Sequence, residues 1–233
     1  GSGIITLNGD ISLGGSTTRS ITSTSGIITI GASTSNVVTG NSINLTVNSG
    51  SAATNINSAL NGIGTLSLGT ISSQTGTITL NGVFSTTSLT VGSYAYDLVF
   101  NGGNEGTSTV TNAVTLSNTG SITIGNQAGD IFVFSGGLSS ITQSTLNLAG
   151  ALRSAGTTIT LGNSTSAAYI SADTTIDTTN NGANPTGATI TLAGSVLSLG
   201  SGSALLASDW TNGHSYDLGV WGTVIGLYGN GDN

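Results

Sequence analysis

The chain lacks cysteine, methionine and lysine, and its 233 residues include a single proline and a single histidine. Without thiols it has no disulfide framework and no thiolate metal site. Arg19 and Arg153 are the only cations against a formal net charge of −7, so no basic face can form for nucleic-acid phosphates or anionic lipids. No apolar run approaches the roughly 20 residues of a membrane helix. We therefore expect no nucleic-acid partner and no membrane insertion.

Charge of either sign is also scarce. Charged residues make up 5% of the chain, against about a quarter in a typical globular domain, and there are 37 glycines. A chain rich in Gly, Ser and Thr can be disordered. Here the mean hydropathy is +0.26, and the apolar residues are mainly Ile, Leu and Val placed in alternation, which predicts a folded β protein.

One short phrase recurs along the chain: an apolar–Thr/Ser–apolar triplet followed by Gly or Asn. Each copy has the length and period-2 alternation of a strand, and each is closed by a turn signal. Many such units in series predict stacked β structure. The copies are IITLNG (4–9), IITIGA (27–32), TLSLGT (65–70), TITLNG (77–82), SITIGN (121–126), TLNLAG (145–150), TITLGN (158–163) and TITLAG (189–194).

The spacing of the strand units decides between two all-β architectures. It varies from about 6 to about 30 residues, unlike the fixed period of most repeat families, and a parallel β-helix tolerates this because loops can leave any corner. Asn-Gly pairs, a hairpin signal, favour an antiparallel β-sandwich as the alternative. We predict a right-handed parallel β-helix with Ile, Leu, Val and Phe inside and Thr and Ser outside. The Asn-Gly pairs lie at 8–9, 61–62, 81–82, 101–102, 181–182, 212–213 and 230–231.

Three segments depart from the phrase pattern. Residues 51–62 carry Ala, Ile and Leu without a clear period, which predicts a short capping helix or a wide corner. Residues 180–188 contain the lone Pro185 and are predicted to form a loop leaving one coil. We assign 1–207 to the β-solenoid and 208–233 to an aromatic-rich cap or subunit-docking segment, because an open solenoid end needs a cover. The candidate interface or cap residues are Trp210, Tyr216, Trp221 and Tyr228.

Residues from about 85 to 195 resemble the β-strand repeats of bacterial surface proteins. The resemblance is to filamentous-haemagglutinin-like and autotransporter-like adhesins, and it implies a right-handed β-helix, secretion to the cell surface and adhesive or matrix roles, with no catalytic residues. The segments that carry it are SLTVGSYAYDLVFNGG (88–103), TVTNAVTLSNTGSITIGNQAGDIFVFSGGL (109–138), STLNLAGALRSAGTTITLGN (144–163) and ISADTTIDTTNNGANPTGATITLAG (170–194).

Residues able to perform acid–base chemistry or bind metal are few. Asp173 and Asp177, four apart in one strand-like segment, are the best pair for glycan cleavage, which uses two carboxylates. The terminal GNGDN (229–233) is only a fragment of a calcium loop, so a structural calcium ion stays an alternative to no cofactor. The remaining acid–base cluster shares one tail, without the elements that assemble a triad, and is interpreted as a polar turn: Asp209, His214, Tyr216 and Asp217. We predict no enzyme.

Thr-x-Thr triplets suggest ice binding as a function, because ice-binding proteins use a flat face of aligned threonines. They include those at 22–24, 75–77, 77–79, 107–109 and 109–111. Because their spacing is not fixed, we expect the threonines not to align as a lattice and to serve as good strand formers.

These observations predict a secreted structural protein of the bacterial cell surface or extracellular matrix. Its partners are copies of itself or surface glycans, and it acts by self-assembly into filaments or by adhesion. In the filament version, the N-terminal strand edge GSGIITL of one subunit meets the aromatic tail of the next. The alternatives are a glycan-binding segment of a long adhesin and a polysaccharide-degrading β-helix enzyme.

Overall fold

The computed structural model of the chain describes residues 1–184, 186–198 and 205–208, the strands at 195–198 and 205–208 by their backbone alone. This part of the chain is all-β. It contains no helix long and apolar enough to cross a bilayer. Its strands are β1 (Ile5–Leu7), β2 (Ile11–Ser12), β3 (Arg19–Thr22), β4 (Ile28–Ile30), β5 (Val37–Thr39), β6 (Leu45–Asn48), β7 (Thr54–Ile56), β8 (Ala59–Leu68), β9 (Ile78–Leu80), β10 (Phe84–Val91), β11 (Leu98–Phe100), β12 (Thr107–Val110), β13 (Val114–Thr115), β14 (Ile122–Ile124), β15 (Ile131–Phe134), β16 (Leu138–Ser140), β17 (Thr145–Arg153), β18 (Ile159–Leu161), β19 (Ala167–Asp177), β20 (Ile190–Leu192), β21 (Ser195–Ser198) and β22 (Leu205–Ser208).

Each strand pairs in parallel with the strand one coil further along the chain. Ile5 lies opposite Ile28, and Ile28 lies opposite Thr54. The step between stacked residues ranges from 20 residues, Ile78 to Leu98, to 31 residues, Ile159 to Ile190. The result is a β-solenoid of about 7 turns. The prediction of a parallel β-helix is confirmed, and the antiparallel sandwich is wrong.

Three strand positions in each coil give the solenoid three faces. The first face begins with β1, β4 and β7, the second with β2 and β5, and the third with β3 and β6. Four long strands bend around a corner: β8 and β10 run from the second face to the third, and β17 and β19 from the first to the second. In later coils β13, β16, β18 and β20 form the third face as a sheet of their own.

The recurrent phrase explains why these strands form. In β4 the side chains of Ile28 and Ile30 are fully buried, and Thr29 between them is half-buried. The same pattern of burial repeats in β9, β14, β18 and β20. Successive strand residues point to opposite sides, so the apolar pair fills the core and the hydroxyl residue stays outside, as predicted.

The core is one column of aliphatic side chains with aromatic rings at its middle. Phe84 from the second face, Phe100 from the first and Phe132 from the second meet with ring centroids 5.1 to 6.4 Å apart. All three are fully buried. Tilted rings at this separation are a favourable aromatic arrangement.

Two expectations about irregular segments have different outcomes. Residues 51–62 form no helix: they contain β7 and the start of β8, joined by a bend at residues 57–58. Since β7 and β8 each lie between neighbouring coils, pairing determines the structure of these residues. The predicted loop at 180–188 is confirmed for the described residues, which connect β19 to β20 by turns, with Asn180 and Asn181 at positive φ.

An asparagine ladder stabilises the corner after the first face. The Nδ2 of Asn81 donates to Oδ1 of Asn57 at 2.8 Å, and the Nδ2 of Asn101 donates to Oδ1 of Asn81 at 2.7 Å. The Nδ2 of Asn57 in turn donates to the carbonyl of Gly31 at 3.0 Å. Stacked amides of this kind add hydrogen bonds along the stacking direction, so the corner reinforces the backbone ladders.

Buried polar side chains occupy the corner between the third face and the first face of the next coil. The Oε1 of Gln74 accepts from the backbone N–H of Ser49 and of Gly50, both at 3.1 Å. The hydroxyl of Tyr96 donates to the carbonyl of Leu68 at 3.0 Å, and burial raises the pKa of this phenol above its usual value. Gly69 has a φ of +59°, and a Cβ there would lie 2.5 Å from Cζ of Tyr96. Each bond satisfies a group that burial would otherwise penalise.

Substitution Asn81→Ala is expected to lower the free energy of unfolding by about 1–3 kcal/mol, because it leaves Asn57 and Asn101 without their ladder partner. Chemical denaturation measures this loss. The matched control is Asn55→Ala, since Asn55 is half-buried in β7 and its side chain makes no hydrogen bond within the described residues. The control is expected to change stability by less than about 0.5 kcal/mol. Equal losses in the two variants would contradict a stabilising ladder.

Candidate functional site

The residues predicted for the interface or cap lie outside the described part of the chain. These are Trp210, Tyr216, Trp221 and Tyr228. The tail cluster of Asp209, His214 and Asp217 and the GNGDN segment lie outside it too. The last described strand is β22, whose residues pair with the second half of β19 on the second face.

The structure separates the two carboxylates predicted as a pair. Asp173 is exposed at the corner within β19, whereas Asp177 is 3% exposed at the strand end. The Oδ1 of Asp177 accepts from N–H and Oγ1 of Thr179 at 2.7 and 2.6 Å, and its Oδ2 accepts from N–H of Asn181 at 2.6 Å. Nε of Arg153 lies 3.9 Å from the same Oδ2. Asp177 therefore holds the start of the loop at 178–189.

Metal-binding chemistry has no assembled site in residues 1–184, 186–198 and 205–208: no group of three or more His, Asp or Glu side chains is brought together there. The most buried carboxylate, Asp130, accepts through Oδ2 from the N–H groups of Asn126 and Gln127 at 2.9 and 3.0 Å. Asp130 thus stabilises a turn in the same way as Asp177. In both places the carboxylate accepts hydrogen bonds from backbone N–H groups of a turn.

In the described part of the chain, no coil stacks on the outer side of the first coil. Its inward residues Ile5, Ile11 and Ile21 are only partly buried, whereas the stacked residues Ile28 and Val47 are fully buried. Ile4 beside them is 72% exposed. This rung of apolar side chains lies against the core on one side, and no described coil covers its other side.

The backbone of the first coil is also half paired. The N–H of Ile5 donates to the carbonyl of Ile27 at 2.9 Å, and the carbonyl of Leu7 accepts from N–H of Gly31 at 2.7 Å. Alternate residues of a parallel strand bond to opposite neighbours, so the N–H and C=O of Thr6 face the open edge. An unpaired edge of this kind is a template for another strand.

A polar groove lies beside this end, at the corner between the second and third faces. It has a volume of about 500 Å³. Its walls are two stacked turns, at residues 15–18 and 41–44, and no charged side chain lines it. Sequence analysis missed this groove, since the two turns become neighbours only when the coils stack.

Comparison of the chain with protein families, with curated proteins and with solved structures found no match.

Substitution Asp177→Ala is expected to lower the free energy of unfolding by about 2–4 kcal/mol, because it leaves the buried donors of Thr179 and the backbone N–H of Asn181 without their acceptor and Arg153 without its ion-pair partner. The matched control is Asp173→Ala in the same strand. Asp173 is exposed, so the control is expected to lose less than about 1 kcal/mol. Urea unfolding of both variants decides the matter, and a larger loss for Asp173→Ala would overturn the structural role assigned to Asp177.

Proposed function

We propose that this protein is a structural component of the bacterial cell surface or extracellular matrix, secreted from the cell, which assembles end to end into filaments or serves in adhesion. The observation that carries the proposal is the first coil, on whose outer side no described coil stacks. It combines a half-exposed apolar rung of Ile5, Ile11 and Ile21 with an unpaired strand edge at Thr6. Both features are what a further coil of the same kind would cover.

A second solenoid stacked on this end would use the same strand pairing that joins the coils within one chain. A contact between one end of a solenoid and the opposite end of another is heterologous, so it leaves free ends and propagates into a fibre. Sparse charge favours such contacts, because charged side chains are a device by which edges avoid pairing. The aromatic segment at 208–233 is proposed to dock on this end, since aromatic residues are enriched at interfaces.

The proposed location and partners rest on composition and on the resemblance to bacterial surface repeats. A chain without cysteine, with hydroxyl residues on its outer faces, suits an oxidising exterior, where it has no thiol to oxidise. The proposed partners are copies of the same chain and surface glycans.

End-to-end assembly is tested by electron microscopy and analytical ultracentrifugation of the full chain at neutral pH. The roughly 7 turns of the described residues have a length of about 34 Å at the spacing of parallel strands. We expect filaments many times longer. The double variant Ile4→Lys/Thr6→Pro is expected to give single short rods, because a charge and a proline on an edge strand block pairing.

The control variant is Ile141→Lys, which changes a 45% exposed isoleucine on the side of the solenoid. It is expected to assemble as the unmodified chain does. Unchanged melting of Ile4→Lys/Thr6→Pro confirms that its fold is intact. A monomeric unmodified chain, or filaments of the double variant, would contradict the proposal. Deletion of 208–233 without effect on assembly would exclude the aromatic segment as the connector.

Glycan binding is the second candidate function, and the groove of about 500 Å³ favours it. Its hydroxyl, amide and backbone groups offer hydrogen bonds to a neutral sugar. We expect the variant Ser16→Trp to fill the groove and abolish retention on a glycan array, and Ser35→Trp, in an exposed turn of another corner, to retain it. Failure of the unmodified chain to bind any glycan, or binding by Ser16→Trp, would exclude this groove.

A further inference from the structure

The outward residues of the third face form two ladders of hydroxyl groups. Backbone pairing places them in register, one residue from each coil, and every one is exposed or half-buried. We call these eight residues, with the residues two positions before them, the hydroxyl array. The first ladder is Ser20, Thr46, Ser67 and Thr90, and the second is Thr115, Ser139, Thr160 and Thr191.

A second column runs beside each ladder. Residues two apart on a strand share a side of the sheet, so each coil presents a short pair of outward groups. Thr158 and Thr189, each directly before its strand, form such pairs with Thr160 in β18 and Thr191 in β20. The second column is Thr18, Asn44, Thr65 and Ser88 beside the first ladder, and Ala113, Gly137, Thr158 and Thr189 beside the second. Strands β10 and β13 adjoin in the stack without forming one sheet, so the two ladders meet at a break.

The two ladders form in spite of irregular spacing, from residues other than the Thr-x-Thr triplets named from the sequence. Those triplets do not stack on one another: Thr79 lies between Asn55 and Val99, and Thr109 between Ser85 and Val133. Stacked hydroxyls are 26 residues apart between Ser20 and Thr46, 21 between Ser139 and Thr160, and 31 between Thr160 and Thr191. The corners absorb these differences, and the strands stay in register. A constant distance in space therefore arises from a variable distance in sequence.

The array is uncharged. Its nearest ion is Arg19, whose Nε donates back to the carbonyl of Gly14 at 2.8 Å. The carboxylates of the described residues lie on the other two faces or their corners: Asp10, Asp97, Glu105, Asp130, Asp173 and Asp177. Within the described residues, the hydroxyls of the two ladders make no hydrogen bond to the protein, so they are available to water.

We propose that the hydroxyl array binds ice. Strand pairing sets its rungs about 4.8 Å apart, and residues two apart along a strand are about 6.6 Å apart, repeats similar in size to those of oxygen atoms on ice crystal faces. The ladders' threonines, Thr46, Thr90, Thr115, Thr160 and Thr191, are stiff at χ1, so their hydroxyl and methyl groups hold their positions. Water bound at such a surface is already ordered, and little further entropy is lost when it joins a crystal.

Other occupants fit the array less well. A second copy of the chain or another protein is usually recognised through aromatic and large apolar anchors, and serine is depleted at such interfaces. The array contains no aromatic residue on which a sugar ring can stack. The array is uncharged and repeats in two directions, and an ice surface has the same two properties.

The experiment measures partition of the full chain into slowly growing ice, together with thermal hysteresis of its solutions. Two variants are compared, Thr160→Lys in the array and Thr79→Lys on the first face. Both threonines are the half-buried centre of an Ile-Thr-Leu strand whose flanking residues are buried. Thr160→Lys is expected to lose ice enrichment and hysteresis, because an ammonium is strongly hydrated. Thr79→Lys is expected to retain both.

Thr158→Lys, at an exposed array position, gives a second test if Thr160→Lys fails to fold, which circular dichroism shows. The proposal is overturned if the unmodified chain neither concentrates in ice nor shows hysteresis, or if Thr79→Lys loses activity as fully as Thr160→Lys. The result is independent of end-to-end assembly, since sedimentation of the same samples reports assembly separately.

Discussion

The parallel hydrogen-bond ladder between coils is the constraint on which the rest of the structure depends. Each buried strand must satisfy its N–H and C=O groups with the coil on either side. A slip of one residue would turn Ile28 and Ile30 outward and Thr29 inward. Pairing and burial therefore enforce the same register, and the apolar column continues through coils whose lengths differ.

The coils differ in length only at their corners. This explains why buried polar side chains are found at the corners. A corner carries backbone groups that neither face can pair. Side-chain amides supply the missing hydrogen bonds. Asn57, Asn81 and Asn101 bond to one another in a stack, and Gln74 accepts from buried backbone N–H groups. Asp177 and Asp130 use carboxylates for the same purpose. Few acidic residues are present, and these two stabilise turns.

The solenoid has two kinds of surface with different consequences. Its end offers an apolar rung and open backbone groups, which favour addition of a like structure. Its sides offer side-chain chemistry repeated at the strand spacing. The first face mixes threonine with Asn55, Val99 and Tyr169, whereas the third face keeps hydroxyl groups in every rung. Apart from Arg19 at the start of β3, the charged groups of the described residues lie away from the third face, so hydroxyl groups dominate this side of the solenoid.

The sequence by itself determined the strands and the direction of their side chains, because alternation and turn residues act within a few positions of each other. The Ile-Thr-Leu triplets at 78–80 and 159–161 are strands with buried ends, as their pattern predicts. Only the tertiary structure decided which residues are neighbours across coils. It separated Asp173 from Asp177, made strands of 51–62, and brought Ser139, Thr160 and Thr191 into one ladder across unequal intervals. The physical reason is that inter-coil register depends on how much chain each corner absorbs, and no local pattern encodes that length.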